Sequence, residues 1–210
     1  KLYGGNTPEN YIQNLVISGN QCSDFQITGM MLEKVSNLNV TGNLVTQHSA
    51  AFTELNGFYF IDISNEFQIN ANQISLSRND VIVRGMIMQN INVDAQQPGL
   101  ISNNFISLGG QQSLVYGLYI FIFDNIRILH NSINLYGTAG AFSTALLFDC
   151  QAGPTMLNNT FLNNIANNGL GGYCMIYNEN AVARNLFSNC NYNNLRTTGA
   201  WFGMLANNNL

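Results

Sequence analysis

Charged residues are scarce in this chain of 210 amino acids. Lys, Arg, Asp and Glu together make up 9% of it, whereas an ordinary soluble domain contains about 25%. The seven Lys and Arg residues are scattered and the formal net charge is −4, so the sequence excludes the basic stripe that neutralises phosphates in nucleic-acid binding. No apolar run approaches the roughly 20 residues of a membrane-spanning helix. We therefore expect neither a nucleic-acid partner nor a membrane span.

Residues that form disulfides or bind zinc are also few. The four cysteines, Cys22, Cys150, Cys174 and Cys190, show no C-x-x-C spacing and have no histidine nearby, so a zinc site is unsupported. Most of them are expected to be small buried side chains, with a disulfide left open. The two histidines, His48 and His130, are isolated, and His130 is expected to point outward.

The chain does contain a repeat. The string Ile-x-x-Asn-x-Ile-x-Leu occurs three times, around Asn72, Asn104 and Asn131, and looser copies surround Asn43, Asn159 and Asn185. Weaker copies lie at Asn20 and Asn208, and neighbouring asparagines are 23 to 32 residues apart. Such a period is typical of one turn of a solenoid.

Short β-branched or aromatic runs precede the repeat motif, at residues 58–63, 81–83, 118–123, 146–148 and 173–177. Each is bounded by Gly, Asn or Asp, as strands often are. The motif adds two more strands, because its apolar residues alternate on either side of the asparagine. The sequence therefore predicts an all-β fold, a right-handed parallel β-helix solenoid of about seven to eight coils with three short strands per coil. We expect a single domain over residues 1–210 that continues beyond its C-terminal end.

The repeated asparagine has a physical reason to lie at a corner of each coil. Asparagine tolerates the left-handed backbone of a tight bend, and its amide can both donate and accept a hydrogen bond. Stacked copies about 4.8 Å apart can therefore bond in a ladder. The predicted members are Asn43, Asn72, Asn104, Asn131, Asn159 and Asn185.

In this pattern of coils the chain resembles the pectate-lyase-like β-helix superfold, which has similar inward asparagine ladders. The resemblance implies a fold shared by polysaccharide lyases, glycoside hydrolases, phage tailspikes and non-catalytic surface proteins, and it does not select among them. Polygalacturonase-like hydrolases would lead us to expect Gly-His-Gly and Arg-Ile-Lys strings, and neither occurs here. Nothing in the spacing of Arg84, Arg127 or Arg184 marks one of them as the base of a lyase.

Carboxylates follow a second regularity. Glu33, Asp62, Asp94 and Asp149 each lie ten residues before a repeat asparagine, and Asp124 lies seven before its own. The five residues could stack as one acidic column that binds a sugar, or holds Ca²⁺ at Asp62 and Asp94 although no cofactor is required. Asp62, Asp94 and Asp124 are also the candidates for a catalytic acid and base. The alternative is that each carboxylate caps its own turn.

Several strands are apolar on both faces, notably residues 116–123. An exposed sheet would alternate, so we expect a neighbouring subunit, a further chain or loops to cover the outer face. A sharper hypothesis is a sugar-stacking platform formed by Tyr59, Tyr119 and Tyr173.

These patterns favour an extracellular module, on a cell or virion surface, that serves as a rigid non-catalytic scaffold and binds a glycan, another surface polymer or copies of itself. The alternative is a carbohydrate-active enzyme, either a polysaccharide lyase or a glycoside hydrolase, including a tailspike-type depolymerase. The sequence leaves open whether the protein is an enzyme.

Overall fold

A computed structural model describes residues 1–48, 53–79, 81–111, 114–138, 142–149, 158–178, 187–205 and 208–209. Strands dominate these residues, and a single 3-10 turn, Pro8–Asn10, is the exception among the described helices and strands. The strands form a 14-stranded and a 7-stranded sheet. Each coil contributes to three faces, which confirms the predicted parallel β-solenoid.

The first face and the second face together form the larger sheet. Strands of the first face are the initial parts of Thr28–Thr41 and Glu54–Asn70, followed by Ile82–Asn92, Val115–Phe123, Thr144–Asp149, Tyr173–Asn178 and Gly203–Leu205. Strands of the second face are Ile12–Ser18, the final parts of Thr28–Thr41 and Glu54–Asn70, then Gly99–Ser102, Ile126–Leu129, Asn159–Leu162 and Phe187–Asn191. A short strand, Leu2–Tyr3, adds to Thr28–Thr41.

The third face is the smaller sheet. Its strands are Gln21–Ser23, Leu44–Gln47, Gln73–Asn79, Phe105–Gln111, Ser132–Thr138, Ile165–Asn168 and Asn194–Thr197. Seven stacked strands correspond to about six turns of the coil, fewer than the seven to eight predicted. Strand pairs are parallel throughout the described residues, except that Asn208–Asn209 pairs antiparallel with Gly203–Leu205. The prediction of a further, weak copy of the repeat at Asn208 is therefore wrong.

The core is built from identical side chains stacked coil upon coil. Ile74, Ile106 and Ile133 are in register on the third face and are buried. Opposite them the first face carries glycines: a Cβ added to Gly85 would lie 2.5 Å from Ile106 Cγ2, and one added to Gly117 would lie 2.5 Å from Ile133 Cγ2. Glycine at these positions lets the two faces approach closely enough to leave no void.

The asparagine ladder is present and continuous. Side-chain Nδ2 of each member donates to Oδ1 of the next over 2.9–3.1 Å, through Asn20, Asn43, Asn72, Asn104, Asn131, Asn164 and Asn193. The backbone N–H of each of the first six also donates to the next Oδ1. Because all these groups lie at one corner, the ladder fixes the register of every coil.

Two predicted members of the ladder need correction. Asn159 is buried one bend earlier, on the second face, where its Oδ1 accepts the backbone N–H of Ile126 at 2.9 Å. Asn164 occupies the ladder in that coil, and Asn193 does so in the next, whereas Asn185 lies outside the described residues. Residues 161–166 also satisfy the apolar-x-x-Asn-x-apolar pattern, so the short motif matched five residues out of register.

The left-handed residue of this corner is the one before the ladder asparagine. Positive φ angles of 52–64° occur in every described coil at Gly19, Gly42, Ala71, Asn103, His130, Asn163 and Tyr192, whereas no ladder asparagine has one. The prediction that asparagine itself provides the left-handed bend is therefore wrong at this corner. Asparagine is placed there for its amide alone.

Candidate functional site

The five carboxylates predicted to form a column do not stack on one another. Glu33 and Asp149 share one row on the first face, but Ile61, Gln89 and Phe121 lie between them. Asp62 follows that row and has a φ of 53°. Asp94 lies in an additional turn, in which the Gln97 N–H donates to the Asp94 carbonyl at 3.0 Å. The stacking predicted from the ten-residue spacing is therefore wrong, since this turn and a bulge between Ser36 and Leu38 shift the register.

Individual carboxylates bond their local surroundings instead. Asp62 Oδ1 accepts Nδ2 of Asn90 at 3.0 Å, and Asp94 Oδ1 accepts the Gln96 N–H at 2.8 Å. Glu33 forms an ion pair with Lys1 at 3.2 Å. Asp124 lies at the end of a first-face strand, where its N–H donates to the Ile91 carbonyl. These contacts are those of turn and strand-end residues.

The described residues bring together no group of three or more His, Cys, Asp or Glu side chains that could hold a metal ion. The calcium ligands predicted at Asp62 and Asp94 thus lack a third partner of this kind in the described part of the chain. His130 is exposed at a left-handed corner, as predicted, and the Nδ1 atom of exposed His48 lies 2.8 Å from Ser77 Oγ.

Described cysteines are reduced and held as thiols. Cys174 is fully buried, and burial raises its pKa to about 11. Burial also raises the pKa of Cys22 and of Cys190. Because the thiolate is the nucleophilic form, a raised pKa disfavours thiol catalysis at neutral pH. Cys150 lies outside the described residues.

The three tyrosines predicted as a sugar platform are divided between two rows of the first face. Tyr59 and Tyr119 share a row in which Ile87 lies between them. Tyr173 belongs to a neighbouring row, with Thr144 and Tyr116. Tyr116 was not predicted, yet its ring centroid is 6.0 Å from that of Tyr119. All four are half-buried, and burial is the main cause that raises the pKa of Tyr116 and Tyr119.

A polar groove lies where the first face bends into the second. Two left-handed residues bracket this bend in three coils, as Asp62 and Asn65 do, whereas Asn90 alone marks it in the coil that follows them. The short segment after the first left-handed residue carries one polar side chain. Successive coils stack these side chains in register as Gln13, Ser36, Ser64 and Asn92. The groove has a volume of about 590 Å³ and is lined by Glu9, Gln13, Ser36, Ser64, Asn65, Asn92, Val93 and Asp94.

Two carboxylates, those of Glu9 and Asp94, line the groove. Glu9 is fully exposed in the turn Pro8–Asn10, where its own backbone N–H and then the Thr7 hydroxyl hold the pKa of its carboxyl below the usual value. Asp94 is the only member of the predicted acidic column that lines the groove. The described lining contains no Lys or Arg, so the groove is polar with a negative charge.

No family model matches this chain, and no curated protein or solved structure matches it. Among the described residues there is also no helix long and apolar enough to cross a bilayer.

Apart from Asp94, sequence reasoning did not predict the residues of the groove. A signal was present in Val35-Ser36-Asn37, Ile63-Ser64-Asn65 and Ile91-Asn92, where a buried β-branched residue precedes an outward polar one. This string is too short to stand out in a chain rich in Ser and Asn. Only the register of the coils shows that its copies are aligned.

Proposed function

We propose that this protein is a rigid β-solenoid module that binds a neutral polysaccharide lengthwise in the polar groove, without chemical turnover. The observation that carries the proposal is the row Gln13, Ser36, Ser64 and Asn92, which repeats a polar residue once per coil. Gln13, Ser64 and Asn92 are accessible, whereas Ser36 is buried and its Oγ accepts Nδ2 of exposed Asn65 at 2.7 Å. Neighbouring strands are about 4.8 Å apart, so a linear polymer along the axis meets an accessible amide or hydroxyl of this row in three of its four coils and the exposed Asn65 amide beside Ser36. A place outside the cell, on a cell or virion surface, is part of this proposal.

Charge selects the class of polymer. Glu9 and Asp94 are carboxylates, the described lining has no cationic side chain, and the chain has a formal charge of −4. A uronic-acid polymer would be repelled unless a cation intervened, whereas a neutral glycan exchanges hydrogen bonds with water for hydrogen bonds with the groove. The parallel sheet that carries the groove is hydrogen-bonded from coil to coil, which favours binding because little ordering is needed.

One observation favours a second candidate, a glycoside hydrolase. Glycosidases of the usual kind use two carboxylates on either side of the scissile bond, and Glu9 and Asp94 line the same groove. The two candidates differ in one measurable respect. A hydrolase would shorten the bound polymer, whereas a binding module would leave its length unchanged.

Affinity electrophoresis through gels that contain neutral polysaccharides tests the proposal. A tyrosine at position 64 would fill the groove, so Ser64→Tyr should weaken binding roughly tenfold or more, about 1.4 kcal/mol. Asn92→Ala, a gentler change at an exposed position, should weaken binding about 2- to 10-fold through the loss of one or two hydrogen bonds. The matched control is Ser75→Tyr, since Ser75 is equally half-buried but faces outward on the third face.

Binding that Ser64→Tyr and Asn92→Ala leave unchanged would reject the groove as the site. Release of reducing ends that Glu9→Gln and Asp94→Asn both abolish would select the hydrolase. Retention of the polymer at full length, with binding lost in the groove variants alone, supports the non-catalytic module.

A further inference from the structure

A second cavity lies at the opposite edge of the first face, at the corner where the chain passes from the third face to the first face. It has a volume of about 320 Å³ and is lined by Phe142, Gly171, Gly172, Tyr173, Ala200 and Trp201. Phe142 is 68% exposed and Trp201 is 51% exposed. Side chains this apolar are rarely left so exposed in a cluster without a ligand or partner. We call this cavity the aromatic slot.

The slot exists because the coil between the two rings has glycines. Tyr173 N–H donates to the Ser143 carbonyl, and Cys174 N–H donates to the Phe202 carbonyl. Phe142 and Trp201 therefore belong to coils on either side of Gly171 and Gly172. Gly171 has a φ of +88°, and a Cβ added to it would meet no atom within 4 Å. At Gly172 an added Cβ would lie 2.1 Å from the Ser143 carbonyl oxygen, so a side chain is excluded there.

The width of the slot distinguishes a flat aromatic ligand from a ligand with a puckered ring. Backbones two coils apart are separated by about 9.6 Å, twice the strand spacing of about 4.8 Å. The register adds to this distance, because Phe142 aligns with Gly171 and Trp201 with Tyr173, two positions further along the strand. A flat aromatic ring between two others needs only about 7–8 Å, because stacked carbons lie about 3.5–4.0 Å apart. A puckered, substituted ring such as a pyranose is thicker and fills the gap better. Its C–H faces can pack on the aromatic rings while its hydroxyl groups remain in water.

The described lining of the slot also lacks any charged side chain. A charged ligand would lose hydration there without gaining a partner, so the chemistry fits an uncharged ring. The volume is near the lower end of ligand pockets, about 300 Å³, which suits one or two sugar units and not a length of polymer.

We infer that the aromatic slot is a binding site for a neutral pyranose unit, held between Phe142 and Trp201 with Tyr173 at its side. The site is separate from the polar groove and does not rest on the function proposed for it. Of the three tyrosines predicted to stack on sugar, only Tyr173 contributes.

Trp201 is the only tryptophan of the chain, so its fluorescence reports on the slot directly. The intact chain is titrated with the methyl glycosides of glucose, galactose, mannose and N-acetylglucosamine, and with phenol as a flat aromatic probe. We expect a saturable change of Trp201 emission with at least one glycoside and protection of Trp201 from acrylamide quenching. Phenol should give no saturable change.

Phe142→Ala removes one wall and keeps the reporter, and Ala200→Leu fills the cavity from an exposed position. Each should weaken sugar binding about 3- to 10-fold, as loss of one aromatic contact does. Phe105→Ala removes another exposed ring, on the third face, and should leave binding unchanged, as should Ser64→Tyr in the groove. Circular dichroism confirms that each variant is folded.

The inference is overturned if no glycoside gives a saturable change of Trp201 emission, or if phenol alone gives one. Loss of sugar binding in Phe105→Ala to the same extent as in Phe142→Ala would also overturn it. Loss in Ser64→Tyr would show that the groove binds the sugar and would refute a separate site. If polysaccharide binding fails in the groove while the Trp201 titration succeeds, the slot stands without the proposed function.

Discussion

Each inner ladder asparagine uses its side-chain amide fully. Asn104 Oδ1 accepts both the backbone N–H and Nδ2 of Asn72 at 3.0 Å, and Asn104 Nδ2 donates to the Ile69 carbonyl at 2.8 Å and to Asn131 Oδ1 at 3.0 Å. Every one of these groups is buried. A side chain of similar size without an amide would leave several of them unpaired, and an unpaired buried polar group costs more than a hydrogen bond normally contributes.

Asn104→Leu should therefore lower the free energy of unfolding by about 1–3 kcal/mol for each buried group that loses its partner. Chemical denaturation measured by circular dichroism checks this. The control is Asn39→Leu, at a half-buried position that faces outward on the second face, which should change stability by no more than about 0.5 kcal/mol. Equal midpoints for Asn104→Leu and the unchanged protein would contradict a structural ladder.

The ladder also shows what the sequence could and could not predict about single residues. Asn72, Asn104 and Asn131 were predicted correctly because three copies of one string with four identical residues fix their register, and the looser copy at Asn43 continues it. Asn164 and Asn193 were missed because the motif is short and Asn is abundant. Coil spacing decides the register, and the step from Asn131 to Asn164 is 33 residues, slightly outside the range of the predicted copies.

Corners decide the path of each coil. Left-handed residues also occur away from the ladder corner, at Lys34, Asp62, Asn90 and Ile122. They lie at the bend between the first face and the second face, where the polar groove is. Ile122, with a φ of 52°, is β-branched in a conformation that β-branched residues rarely adopt. The bends shape the groove, and neither their number nor their alignment is visible in the hydrophobic pattern.

Residues before the ladder asparagine provide a matched pair of corner substitutions. Ala71→Gly removes the Cβ that strains the left-handed backbone at this position. After subtraction of the entropy that glycine loses on folding, the free energy of unfolding should rise by about 0.5–1 kcal/mol. Gly42→Ala introduces the same strain and should lower it by about 1 kcal/mol, since a Cβ at Gly42 would have no close contacts. Thermal unfolding by calorimetry measures both.

Ala95→Gly is the control for the corner pair, because Ala95 is exposed and has no positive φ. It should lower stability slightly through glycine entropy. A loss of stability in Ala71→Gly as large as that in Ala95→Gly would contradict strain at the corner.

The positions of single strands were predicted better than the surfaces that several strands form together. Alternation and β-branched runs predicted strands that the structure confirms at 58–63, 82–83, 118–123, 146–148 and 173–177, because burial on one face leaves a direct trace in sequence. The aligned glycines at 57, 85 and 117 left a trace as well, with spacings of 28 and 32 residues. Groove and slot could not be predicted, because each is assembled from residues about 30 apart, and turn lengths decide which of them align.

At the scale of the whole molecule, the first face raises the question of what covers it. Its outward row contains Ile87, Leu147 and Ile176, which are only 6%, 8% and 7% exposed in the single chain. These aliphatic side chains need no second subunit for burial. What remains half-exposed is the cluster of Tyr59, Tyr116 and Tyr119, where an apolar ring and a polar hydroxyl suit an interface between chains.

Association through this tyrosine cluster remains a prediction, and Tyr119→Lys tests it. If a second copy packs on the cluster, the lysine places a charge at the interface that must be desolvated without a partner, and the assembly should dissociate. Sedimentation velocity should then show a larger species for the unchanged protein and a monomer for Tyr119→Lys. Tyr136→Lys, on the exposed third face, should keep the larger species. A monomer in all three proteins would contradict self-association and leave the cluster to be covered by loops of the same chain or by a different partner.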